Sequence, residues 1–539
     1  MGSRFTHHFG TNYVPTDEEI EEIRADLFSR TEELARVDEQ IRELYERRDQ
    51  LQAYIEPRKA LISHPRRLPI DILGVIFLEC LPTTRNAVMS AQEAPLLLCR
   101  ICSAWRTTAL SMPRLWASLH IPFNFILKNK LRISAVDQWL ARAAASSMSV
   151  SFRGAEVVWG APDSEPTVIY LDDNGQLAKT IARYSAGWQN VELTWMSDRT
   201  AEALAGIHAP RLESFKLTGY THHISHFDQL LRGSRLQTVA LYLDSNLMHA
   251  LTLPIAWHQL TTLIIHFAQE PYPSSISLGD MIYLLEWCPR LVLFHVIPML
   301  NEIPFEYGSL SVHLPSLESF FTVPLHQVLP NWYLACIIDC VSMPKLRHFH
   351  FPINSGGSGQ DSLSIASIGA KYPLVEDFAI YINSLNAQAL LEALRAFPAL
   401  TKLAVNAHMP LDDYRTDLGA LFWEWDNGTD SCGAAQLLEV LSDTTVCSRL
   451  QELEVIRTKT LSRLALLTFL SARMQMESMC RLCRLSISFQ TSWGKPVIPP
   501  LSPVETKYYA SLGLRISFFP QARAGAPDTS SPWTGLLSP

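Results

Sequence analysis

Three hydrophobic rhythms follow one another along the chain. The first begins at Thr16, where Pro15 is followed by Thr16-Asp17-Glu18-Glu19, a capping box whose threonine hydroxyl and Glu19 carboxylate satisfy orphan amides of a helix start. Apolar residues then alternate at spacings of three and four: Ile20, Ile23, Leu27, Leu34, Val37, Ile41, Leu44, Leu51 and Ile55. Arg30 and Arg48 take the two remaining seam positions. The pattern predicts a disordered start over 1–15, an amphipathic helix over 16–56 stopped by Pro57, and a basic linker over 57–66. About forty residues at 1.5 Å each make a rod of roughly 60 Å. A stripe this narrow suits a partner helix, which gives a coiled coil such as a homodimer; the other reading is a single helix along the protein's own surface.

The second rhythm is compressed. In LPIDILGVIFLECLP, Pro69 suits the first helical position, and Asp71 complements the positive end of the helix dipole. Ile72 and Ile76 share one face, Leu73 and Phe77 the adjoining one, and Leu81 extends the latter until Pro82 ends the helix. The polar stretch Thr83 to Glu93 leads to a second helical pattern, APLLLCRICSAWRTTAL, and Met112-Pro113-Arg114-Leu115-Trp116 gives one further turn. A module this short cannot bury both apolar faces itself, so another chain or the following segment has to complete one of them.

From Trp188 the rhythm becomes Φ-x-x-Φ-x-Φ, as in Leu212-Glu-Ser-Phe215-Lys-Leu217 and Leu236-Gln-Thr-Val239-Ala-Leu241. It starts at Trp188, Leu212, Leu236, Leu260, Leu291, Leu317, Leu346, Val375, Leu400, Leu450 and Leu482. A short strand per period, with helical spacing between strands as at Leu390, Leu391 and Leu394, is the signature of leucine-rich repeats, whose units bury a face only by stacking. Between Trp116 and Ser185 the reading is looser, with strands at Leu119 to Ile121 and Met148 to Phe152 and a helix from Val136 to Ala145. The interval from Leu400 to Leu450 is about twice the usual length, room for a degenerate repeat plus a loop. Its Trp423 and Trp425 either grip a partner from an exposed acidic loop or pack beneath a repeat. A last strand is expected within Leu512 to Phe519, followed by a Pro-rich disordered tail.

The spacing Leu-Pro-x-x-Ile-Leu-x-x-Ile-Phe, then Ile101-Cys102-x-x-Trp105-Arg106, then Pro113-x-Leu115-Trp116, closely resembles the F-box motif. The insert before Ala-Pro-Leu-Leu-Leu is longer than in compact F-boxes and is similar to the form in the large F-box family of mushroom-forming fungi, whose members combine the box with irregular leucine-rich repeats. The resemblance implies a three-helix module that docks on a Skp-family adaptor and through it reaches a cullin. It assigns that contact to Leu68, Pro69, Ile72, Leu73, Ile76, Phe77, Leu81, Cys102, Trp105, Leu115 and Trp116. The fold expected is α+β: a long N-terminal helix, a three-helix F-box over 67–121, then a curved α/β solenoid over 122–490 with one parallel strand per repeat, and a last strand and tail over 491–539.

Composition narrows the function. With 47% apolar and 18% charged residues the chain is core-rich. The net charge of −8 is concentrated in Asp17 to Glu56, which holds 14 acidic and 6 basic side chains and leaves 39 of each sign elsewhere. A neutral body without a basic stripe argues against nucleic acid as partner. No long apolar span and no secretory h-region is visible, and the ten cysteines lack the dense spacing of a secreted scaffold, so a protein of the cytoplasm or nucleus is expected, with the Asn427-Gly428-Thr429 sequon unused.

Chemistry is sparse. Cys99/Cys102 and Cys480/Cys483 have half-zinc-site spacing, but one pair lies in the second box helix and the other on an expected strand, where cysteines fill space. His222, His223 and His226, with His208 nearby, read as a solvated loop without a completing carboxylate, and Asp412-Asp413 as a turn or helix start. No phosphate-binding glycine loop or nucleophile elbow occurs, so neither catalysis, cofactor nor metal is expected. The function expected is a substrate receptor of a Skp–cullin–F-box ubiquitin ligase, binding the adaptor through the box and target proteins through the repeats. The alternative is a non-degradative scaffold that oligomerises through its N-terminal helix.

Overall fold

The computed structural model of the chain describes residues 5–62, 64–122, 131–143, 146–158, 167–170, 175–233, 235–243, 252–267, 277–296, 311–322, 331–351, 365–380, 387–405, 434–443, 445–458, 461–474, 480–489, 500–520 and 536. The chain divides into two compact units, Met1–Ile76 and Phe77–Pro539. Among the described residues no helix is long and apolar enough to cross a membrane.

The first unit is dominated by α1, Asp17–Leu61. Its capping box forms: Thr16 N donates to Glu19 Oε2 at 2.9 Å and Glu19 N to Thr16 Oγ1 at 3.4 Å. Ion pairs one turn apart run along it, Arg24–Glu21 at 2.7 Å and Arg30–Glu33 at 3.0 Å among them, each contributing about 0.2–0.5 kcal/mol. Pro57 does not stop the helix, which continues to Leu61 across the expected linker. Proline removes one amide and crowds one carbonyl, and here it falls within the last five residues of the helix. The Arg58 guanidinium also donates to the Tyr54 carbonyl at 2.8 Å and lies 3.4 Å from that ring's centroid. The seam residues Leu27, Leu34, Val37, Ile41, Leu44, Leu51 and Ile55 are all exposed.

Helix α2, Ile70–Glu79, crosses the boundary between the units. The second helical pattern of the box is not one helix but two, α3 (Leu98–Ile101) and α4 (Ser103–Leu110), broken at Cys102, whose extended backbone lets its sulfur accept the Trp105 amide at 3.5 Å. A 3-10 turn, Pro113–Trp116, follows.

The main sheet of the second unit has 14 strands, all parallel and paired in chain order, beside an antiparallel hairpin of Ala155–Val158 with Thr167–Tyr170 and a short parallel pair of Val312–His313 with Val341–Ser342. The main-sheet strands are β1 (Ser118–Ile121), β2 (Met148–Arg153), β3 (Trp188–Thr194), β4 (Ser214–Gly219), β5 (Thr238–Leu243), β6 (Thr262–Phe267), β7 (Leu293–Val296), β8 (Ser319–Thr322), β9 (His348–His350), β10 (Asp377–Ile380), β11 (Lys402–Val405), β12 (Glu452–Thr458), β13 (Arg484–Phe489) and β14 (Arg515–Pro520). Every Φ-x-x-Φ-x-Φ start falls at a strand's first residue or two residues before it. Crossovers carry α5 (Leu131–Ala143), α6 (Gln176–Ala182), α7 (Asp198–Ala203), α8 (Asp228–Leu231), α9 (Leu278–Trp287), α10 (Asn331–Cys340), α11 (Ile365–Lys371), α12 (Ala387–Arg395), α13 (Ala434–Ser442), α14 (Arg463–Met474) and α15 (Pro503–Ser511). This is a leucine-rich-repeat-like α/β solenoid.

Its core includes an apolar row in unbroken register. Phe215 pairs with Val239, Val239 with Leu263, then Phe294, Phe320, Phe349, Phe378 and Leu403 follow, all buried. Ring centroids 5.6 Å, 5.9 Å and 6.2 Å apart make a phenylalanine ladder from β7 to β10, each ring worth about 1.5–3 kcal/mol of burial. α11 and α12 meet so closely that a Cβ on Gly369 would lie 2.5 Å from the Ala396 carbonyl oxygen.

β11 pairs directly with β12, Lys402 opposite Glu452, so no strand stands between them in the sheet, and the double-length interval over 406–433 lies outside the described residues. α15 was not legible; its own capping box, Ser502 with Glu505, starts it, and Arg463 holds Glu505 at 2.6 Å. Trp423, Trp425, Asp412-Asp413, Asn427 and the Pro-rich tail after Pro520 lie outside the described residues, apart from residue 536.

Candidate functional site

The residues assigned to adaptor docking separate by burial. Leu68, Pro69, Ile72 and Ile76 are exposed, as are Ile70 and Val75 beside them, an apolar concentration at the start of α2. Leu81, Cys102 and Trp105 are half-buried. Leu73, Phe77, Leu115 and Trp116 are buried. Within the second unit, Phe77 packs on Trp105 with centroids 4.9 Å apart. Trp116 is core: its indole N–H donates to the Ala109 carbonyl at 2.9 Å, its ring meets Trp139 edge-on at 4.8 Å, and the Arg142 guanidinium sits 4.7 Å from it. Leu115 and Trp116 are thus interior side chains.

The insert Thr83 to Glu93 is well held. Arg85 and Glu93 form a largely buried ion pair at 2.5 Å, and Glu93 also accepts the Val88 amide at 3.1 Å. Val88 bridges His120 of β1 in parallel, with His120 N donating to Ala87 O at 2.7 Å. The insert therefore pairs with the sheet's first strand, which would otherwise offer an open edge.

The sheet's second face is where side chains leave the core. Its first row reads Ser118, Ser149, Asn190, Ser214, Thr238, Thr262, Leu293 and Ser319 over β1–β8, then His348, Asp377, Lys402, Glu452, Arg484 and Arg515 over β9–β14. The charges pair across strands: Lys402–Asp377 at 3.1 Å, His350–Asp377 at 3.0 Å, Arg484–Glu452 at 3.5 Å. Burial works to raise the Asp377 carboxyl, but hydrogen bonds from His348 and His350 and the Lys402 charge hold it well below the usual carboxylate range. Burial, with His350 adding in the same direction, drives His295 down to about 3, so its imidazole is neutral.

The histidine group is not a solvated loop. His222, His223 and His226 lie on a 3-10 helix, Thr221–Phe227, and the His223 side chain is 1% exposed. A carboxylate does complete it: Asp198, first residue of α7, lies 3.0 Å from His222 Nε2 and 2.8 Å from His223 Nε2. Sequence reasoning missed Asp198 because it stands 24 residues from His222, one repeat away. His208 and His226 are outside this group. Cys480 and Cys483 precede β13 rather than lying on it and are exposed, while Cys99 and Cys102 are half-buried, with burial raising the Cys99 thiol. Among the described residues neither pair belongs to a cluster of three potential ligands.

No protein-family model matches the chain, and no curated protein matches it.

Proposed function

We propose that this chain is a substrate receptor of a Skp–cullin–F-box ubiquitin ligase, working in the cytoplasm or nucleus. The observation that carries this reading is the run of exposed apolar residues on α2, Ile70, Ile72, Val75 and Ile76, in a segment with F-box spacing placed just before a solenoid. A small helical segment keeps such residues in water at a cost unless a partner covers them. In this reading the Skp-family adaptor covers them, a cullin follows, and the solenoid's second face offers a target protein its hydroxyl and charged rows. The chain's work is recognition, with the chemistry done elsewhere.

The test is co-purification with a Skp-family adaptor. Ile72→Asp with Ile76→Asp changes only exposed positions, so the circular dichroism spectrum should stay the same while adaptor binding is lost. Binding that survives the pair, or a wild-type chain that fails to bind, would remove the reading.

The exposed seam of α1 favours a second reading, a scaffold that oligomerises through this helix. Leu34→Glu with Leu44→Glu should then lower the sedimenting mass of the full chain without altering adaptor binding.

A further inference from the structure

Asp198 and His222/His223 come from successive repeats, the first just after β3 and the others just after β4. Stacking of the repeats sets their ligand atoms within 4.8 Å of one another. The turn into α7 does not need the carboxylate, because Ser197 already caps that helix by accepting the Thr200 amide at 3.3 Å. Asp198 instead turns its Oδ1 to both imidazoles. Two nitrogens and one oxygen converging from a rigid base is the posture of a three-ligand metal site before the ion arrives. Zinc bonds of about 2.0–2.1 Å at tetrahedral angles would set neighbouring ligand atoms about 3.4 Å apart, so the Asp198–histidine distances of 3.0 Å and 2.8 Å would open by about half an ångström. The exposed Asp198 side chain can supply that movement.

The surroundings hold both rings. His223 is fixed by burial, with its Nε2 turned to Asp198, while among the described residues its Nδ1 has no hydrogen-bond partner. Tyr220 stacks on His222 with centroids 5.5 Å apart and meets His223 edge-on, limiting how either ring turns.

We propose that Asp198, His222 and His223 bind one divalent cation of the zinc class, tying the β3 repeat to the β4 repeat and leaving the remaining coordination to water. The donor set of two imidazoles and one carboxylate matches that class rather than calcium or magnesium, which prefer oxygen alone. The site is independent of adaptor docking.

The test uses the full chain, stripped with chelator and titrated with Zn²⁺ by calorimetry, with Co²⁺ absorption reporting the ligands. Wild type should bind one equivalent at this site and melt at a higher temperature with zinc. Asp198→Ala and His222→Ala alter exposed side chains, so the fold should persist while zinc affinity falls by about tenfold or more in each. Cys480→Ser with Cys483→Ser should keep the equivalent. A wild-type chain that binds no zinc, an equivalent retained in the double variant Asp198→Ala/His222→Ala, or one lost only with the cysteines would each overturn the proposal.

Discussion

The two halves of the sheet share one interior and differ on the other face. From β1 to β8 the first outward row is almost entirely hydroxyl and amide; from β9 to β14 it is histidine, carboxylate, lysine and arginine. The inward row is apolar throughout, Leu119 at one end and Leu485 near the other. Stacking of repeats holds the inward row to apolar residues, while the first outward row changes character along the sheet. The charged half is also self-paired, Asp377 serving His350 and Lys402 together, so its side chains are held in place before any partner arrives.

Removing a ring from the interior should cost the same in either half. Phe215→Ala, which loses its contact with Phe227, and Phe378→Ala, which loses Phe349 and Phe397, should each destabilise by about 3–5 kcal/mol, read from urea midpoints. A large inequality would break the idea of a common interior. Arg473→Met comes next, at about 3 kcal/mol, because the buried guanidinium donates to the carbonyls of Leu441, Val446 and Cys447 at 2.6–2.9 Å, of which Cys447 also accepts the Leu450 amide at 3.0 Å. Gly369→Ala should cost about 2 kcal/mol by forcing α11 from α12.

The outward row should separate the halves. Asp377→Asn should cost about 1–2 kcal/mol, against less than about 0.5 kcal/mol for Ser214→Ala. The carboxyl of Asp377 is depressed in the folded chain, so its contribution is complete above the ordinary carboxylate value, about 3.9, and disappears as pH falls from there toward the native value. Wild type should therefore lose stability more steeply than Asp377→Asn on acidification below about pH 4; equal slopes would mean that the pairing is idle.

What was legible in the sequence follows the same division. The inward row repeats, and a repeating constraint shows itself as Φ-x-x-Φ-x-Φ at Leu212, Leu236 and Leu260, each two residues before a strand. The polar partners were not legible, because a parallel solenoid places residues 24 to 29 apart side by side: Asp198 beside His222, Arg347 beside Glu376. No local spacing rule reaches that far. Pro57 misled for a different reason, since it does not end the helix but falls within its last five residues. The box residues were legible as a pattern, but the pattern does not say which of Ile72 and Leu73 faces out; burial does.

The bridge from Val88 to His120 has a practical consequence for anyone dividing the molecule. A fragment begun at Ser118 would retain every repeat and still present β1 with one side of its backbone bare, an invitation for a second copy to add a strand there. The stretch from Thr83 to Glu93 thus also covers the solenoid's first edge, and a cut that keeps β1 but removes this stretch would leave a self-adhesive strand.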